Sequence, residues 1–279
     1  MIHKKKGTTA PNLAISGGFC PNSKRSQIAI FVILGILIIS AIALFFIFRQ
    51  DSNVLQTSGK SEENPTGFFE SCIGNKVREA VDELSLRGGY MDSKLSINFK
   101  FENENYHNIT YLCYNQNSYL PCINQKPAFT EDLNKEIKNY ISDDVENCFN
   151  KLKSSLEDKG YETNVNYNDF SVEIAPKKII VQTYSDIAYT KAGQTTNEKD
   201  IKVEIASRLY EISLIALEIV NQEARFCYSE ISGISILYPE FSIDKTKTDS
   251  LSNIYTIIHK DSKEKFRFAV RSCAIPPTF

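Results

Sequence analysis

From Ile28 to Phe48 the sequence runs without a single charge, and no other feature restricts the chain so strongly. At about 1.5 Å per residue, a helix of that length measures roughly 31 Å, close to the ~30 Å of a bilayer's hydrocarbon core. Its Ile, Leu, Val and Phe residues sum to roughly −5 to −10 kcal/mol of apparent insertion energy, an upper bound because residues near the ends contribute less. The run therefore predicts a transmembrane helix over residues 27–48, with the lipid bilayer contacting 28–48. A secretory signal peptide would carry about 7–15 apolar residues followed by small ones. Here the run closes in LFFIFRQ, so the segment is expected to be kept as an anchor.

Charge beside the run sets its orientation. Lys4, Lys5, Lys6, Lys24 and Arg25 precede it with no acidic residue among them, which predicts a cytoplasmic tail over 1–26 and a single-pass cell-membrane protein with its C-terminal domain outside. Of the 32 basic residues five lie before Arg49, leaving 27 against 34 acidic ones, a balance of −7. A domain of that sign lacks the basic footprint that nucleic acid requires.

Residues 49–67 are polar and read as a linker. Gly59-Lys60-Ser61 matches only the tail of a phosphate-binding loop, since Val54 stands where a glycine is needed and no strand precedes it. Residues 68–279 then form the extracytoplasmic domain. Phe69, Cys72, Ile73, Val77, Ala80, Val81 and Leu84 fall at three- and four-residue spacing, one apolar stripe on a helix that Gly88-Gly89 should stop. A second helix is expected from an N-cap at Thr130 to Gly160, with a possible break at Ser142-Asp143-Asp144. A third follows a short strand near residue 202 and is apolar on more than one face. FSVEIAPKKIIV reads as two strands around a turn, and ISILYPEF, NIYTIIHK and KFRFAVRS as a closing antiparallel meander. The expected class is α+β, about three helices on antiparallel strands and hairpins.

Six of the seven cysteines lie beyond the apolar run, and Cys20 before it. An even number outside the cytoplasm reads as disulfides. Centring a two-residue turn on Asn117-Ser118 sets Cys113 opposite Cys122 in a hairpin, a separation that suits a bridge. Cys72 and Cys148 lie on the apolar faces of two helices, which suggests a second bridge, and Cys227 with Cys273 remains by exclusion. Six cysteines allow fifteen connectivities, so the scheme is one of several.

Signs of chemistry are sparse. His3, His107 and His259 are the three histidines, none paired at metal spacing, and no nucleophile motif occurs. No catalytic residue and no cofactor is expected. Glu102, Glu104 and His107 form the one cluster able to ligate a divalent cation, but the alternating acids and central glycine of a calcium loop are missing, and a solvated turn explains it as well. Tyr106, Tyr111, Tyr114 and Tyr119 offer a contact patch, or half-buried strand positions. Asn108-Ile109-Thr110 is an N-glycosylation sequon.

The anchor motif SQIAIFVILGI, the FESC opening and LRGGY ending of the first helix, FSVEI and the closing FRFAV resemble an uncharacterised family of archaeal single-pass membrane proteins. The resemblance implies topology and source class and carries no activity. Archaeal pilin precursors share a basic leader, cleavage before a glutamine and an apolar helix, so Arg25-Ser26-Gln27-Ile28 is where a filament reading would apply. Against it, Ser26 stands where Gly or Ala is usual and Phe31 where many pilins carry Glu. The leading expectation is a membrane-anchored envelope protein whose outer domain binds another envelope or cell-surface protein; a pilin-like subunit and an envelope enzyme are the alternatives.

Overall fold

A computed structural model describes residues 64–273, together with Ile33 and residues 35–40. The chain divides into two units, Met1–Ser58 and Gly59–Phe279. In the first, Ile33 and residues 35–40 are helical; the tail, the rest of the apolar run, the cleavage position before Gln27 and most of the linker lie outside the described residues. Among the described residues no helix is long and apolar enough to cross a membrane. This corrects the expected fold class with its N-terminal transmembrane helix. The three long helices of the second unit are amphipathic, each burying one stripe and turning most of its charged residues to solvent.

That unit is α+β. Helix α1, Pro65–Leu86, starts inside the expected linker: the Asn64 side chain accepts from the Thr66 amide at 2.9 Å, and Pro65 sits in the first turn, where its missing N–H costs nothing. The helix stops as expected at Gly88 and Gly89, at φ 76° and 89°. A Cβ on Gly89 would come within 2.7 Å of Leu133 Cδ2, so the turn needs glycine for space as well as for φ. Helix α2, Phe129–Asp158, runs unbroken past Ser142, and its N-cap is Ala128 rather than Thr130. The apolar faces of α1 and α2 meet at Phe69 and Phe149, ring centroids 4.9 Å apart.

Ten strands among the described residues form two sheets. The first has the order β1 (Ser96–Lys100), β2 (Tyr106–Tyr114), β10 (Lys265–Arg271), β9 (Asn253–His259), β8 (Phe241–Lys247), with β3 (Ile123–Asn124) also on β2. It is mixed rather than antiparallel, because β2 and β10 run parallel, with Tyr111 beside Ala269. Strand β10 is buried on both sides: Phe266, Phe268 and Val270 belong to the main core, and Ala269 to a small cluster with Ile109, Tyr111 and Ile254 under β1. A strand covered on both faces loses the polar alternation of a half-exposed one. The second sheet has β4 (Glu162–Ala175), β5 (Lys178–Lys191) and β6 (Gln194–Lys199) in order, with β7 (Lys202–Ala206) on β5.

Helix α3, Leu209–Phe226, buries Ile212, Ile215, Ala216, Ile219 and Val220 in the core that the helices and both sheets share. A fourth helix, α4, Ile231–Leu237, replaces the strand expected at ISIL. The Glu230 side chain accepts from the Ser232 amide at 3.2 Å and caps it, and the strand of that region starts later, at Phe241.

All three disulfides form as paired above: Cys72–Cys148, Cys113–Cys122 and Cys227–Cys273, with Cα separations of 6.0, 5.4 and 5.2 Å. Cys113 and Cys122 are not ladder partners, as a two-residue turn on Asn117-Ser118 would have made them. The ladder partner of Cys113 is Asn124, and residues 115–122 make a longer loop in which Asn115 Nδ2 donates to the Pro121 carbonyl at 2.8 Å.

Candidate functional site

Helix α1 lies beside β7 and the β9–β10 turn, and a cleft of about 300 Å³ opens between them. Helical spacing puts Val77 and Val81 on one stripe of α1 and Arg78 and Asp82 on the next. Ile179 of β5 and Ile205 of β7 are register partners and stand side by side. These four aliphatic side chains, all buried, make the floor.

Glu264, from the turn, makes one wall. Its Oε2 accepts from Ser207 Oγ and from the Arg208 amide, both at 2.8 Å, and its Oε1 accepts from Ser262 Oγ at 3.0 Å. A carboxylate bonded to the amide just ahead of α3 is stabilised by the donors and dipole of the helix start. Asp82 makes the other wall. Asp82 is an exposed residue, yet desolvation by its neighbours pushes its carboxyl above the usual aspartate range, and the charges of Glu264 and Glu83 add to the rise. Among the described residues it has no hydrogen-bond or ion-pair partner. Arg78 is turned back, donating Nη1 to Asn75 Oδ1 at 2.9 Å.

Ser262 Oγ also lies 2.8 Å from His259 Nδ1, a serine–imidazole contact that the sequence did not reveal. The Ser262 amide donates to the same Nδ1 at 3.1 Å, and the carboxylate of Glu264 bonds the serine instead of the imidazole. A nucleophile needs a base that a third group orients. Here the order is imidazole, serine, carboxylate, an arrangement that closes the turn, with Lys263 N to the His259 carbonyl at 3.0 Å.

The sequence-read cation cluster is dispersed. Glu104 is taken by Arg267, through both terminal guanidinium nitrogens, and by Lys265 Nζ at 3.1 Å; these donors hold its carboxyl down at about 2. Arg267, 4% exposed, stacks on Phe101 at 3.8 Å. Glu102 is exposed in the turn and His107 pairs with Phe99 in the ladder. Among the described residues no group of three His, Cys, Asp or Glu side chains is placed to hold a metal.

The four tyrosines do not make one patch. Tyr111 is buried with its hydroxyl 2.9 Å from Ser252 Oγ, and Tyr114 lies half-buried against it. Tyr106 is exposed at the first position of β2, and Tyr119 is exposed in the loop beyond its other end. Asn108 is exposed and accepts from Asn98 Nδ2 at 2.7 Å, but Thr110 of its sequon is buried with an unpaired hydroxyl. A glycan at Asn108 would therefore have to be added before β2 joins the sheet.

The cleft residues Asp82, Ser207 and Glu264 went unnoticed in the sequence because they come from three distant segments, with no motif linking them. No family model, curated protein or solved structure matches the chain. The family resemblance read from the sequence thus rests on its motifs alone.

Proposed function

We propose that residues 64–273 are a binding domain that works outside the cytoplasm, without catalysis, and that the cleft beside α1 is where it binds. The three disulfides carry the compartment assignment, since cystines of this kind persist where thiols are not kept reduced. An apolar floor with a few convergent polar groups supports binding, and the turn-closing geometry of Ser262 and His259 supports a reading without nucleophilic chemistry. The partner is another envelope or cell-surface component; the acidic balance of the chain beyond Arg49 disfavours nucleic acid.

Acid-quenched alkylation of the protein from its native cells, followed by non-reducing peptide mapping, tests the compartment. The expected result is three cystine-linked peptide pairs with no label on the six cysteines. Rapid labelling of most of them before reduction would overturn the reading.

A further inference from the structure

We propose that the cleft takes an ammonium group on an aliphatic stem, with Asp82 as its counter-ion; this rests on the reading that the cleft is the binding site. The floor of Val77, Val81, Ile179 and Ile205 offers only methyl groups, which suit an alkyl chain and supply no metal ligand. Two wall carboxylates against the single guanidinium of Arg78 leave the lining net negative, which disfavours an anion. A neutral apolar guest would cover the floor and leave Asp82 facing Glu264 with no counter-charge. Glu264 has three donors and a fixed orientation, whereas Asp82 has none, so Asp82 is the group that gains most from an arriving cation. Its raised carboxyl points the same way, because part of its hydration is already lost. Arg78 also lines the cleft, but its guanidinium is bonded to Asn75 of its own helix and pairs with neither wall carboxylate. A volume of about 300 Å³ lies at the small end for ligand pockets and matches a side chain or a small amine better than a folded surface.

The test uses the full chain labelled with ¹³C at Ile and Val methyls, titrated with n-pentylammonium, n-pentanol and pentanoate, and then with Nα-acetyl-lysine N-methylamide. The methyls of Val77, Val81, Ile179 and Ile205 should shift, with n-pentylammonium binding about tenfold more tightly than n-pentanol. Asp82→Asn should abolish that difference while keeping the methyl spectrum of the fold, and Glu79→Gln, outside the cleft, should retain it. Binding of the lysine derivative as well would identify a side chain as an acceptable source of the group; its exclusion would restrict the class to free amines. If n-pentanol and pentanoate shift the methyls as strongly as the amine, the ammonium class is wrong while the cleft stands as a binding site. If no probe moves these methyls, both readings fall.

Discussion

The two sheets are held by opposite means. The second, residues 162–206, contains no cysteine; β4, β5 and β6 pair across short turns, Ala175 with Lys178 and Lys191 with Gln194, and β7 returns to β5. The first joins β2 to β10, with Tyr111 beside Ala269, and the disulfides lie at its ends or on the helices against it. Closing a long loop costs more chain entropy than closing a hairpin. Two of the three covalent links therefore stand where contacts are remote in sequence, the third closes a short loop beside β2, and the sheet built from hairpins has none. In the chain-entropy treatment, separations of 76, 46 and 9 residues correspond to roughly 4.5, 4 and 2.6 kcal/mol.

The largest effect should come from removing those links. Together they amount to roughly 11 kcal/mol, comparable with the whole stability of a typical domain, about 5–15 kcal/mol. Under reductant, amide exchange should show β2 and β10 losing protection first and the β4–β5 hairpin last. Uniform loss across both sheets would break the comparison.

A smaller, pH-dependent effect belongs to the first sheet. Glu104 is held at about 2 chiefly by its hydrogen bonds from Arg267, against 4.5 for an unperturbed glutamate. A depressed carboxyl contributes stability that is present above the unfolded value and lost as pH falls from about 4.5 through about 2. Glu104→Gln should cost about 1–3 kcal/mol at neutral pH, with solvent at the half-open pair reducing the effect. Urea titrations should find wild type and variant converging near pH 2; a constant gap would show that packing, not charge, accounts for the loss.

The smallest effect is a gain in the second sheet. Ala192 turns the β5–β6 hairpin at φ 50°, followed by Gly193 at 80°. Two positive φ values suit Asn-Gly far better than Ala-Gly, so Ala192→Asn should stabilise by about 0.5–1 kcal/mol. Thermal unfolding measures it, and a Tm that does not rise would mean this hairpin is not limited by its turn.

Periodicity made the two long helices legible, because Phe69 to Leu84 and Leu133 to Leu156 fall on single buried stripes. It also put Cys72 and Cys148 on facing surfaces. Strand β6 was missed because QTTNEK is exposed on both faces and gives no alternation to read. At ISIL, branched apolar residues read as a strand, whereas only Ile234 of α4 is buried and a capping glutamate sets the helix. The parallel register of β2 and β10 had no local signal at all, and the cleft had none for the same reason: proximity in space between Asp82 and Glu264 is a product of the whole fold.

That parallel pair also orders events in time. Strand β10, the last among the described residues, sits between β2 and β9. A chain that emerges N-terminus first can complete the β4–β5–β6 hairpins while Cys227 still waits for its partner. The first sheet stays a set of separate hairpins until Cys273 has left the ribosome. Shortening the chain ahead of β10 would thus remove a middle strand instead of trimming an edge, and a stalled product would expose β2 and β9 as two open flanks ready to pair with other molecules.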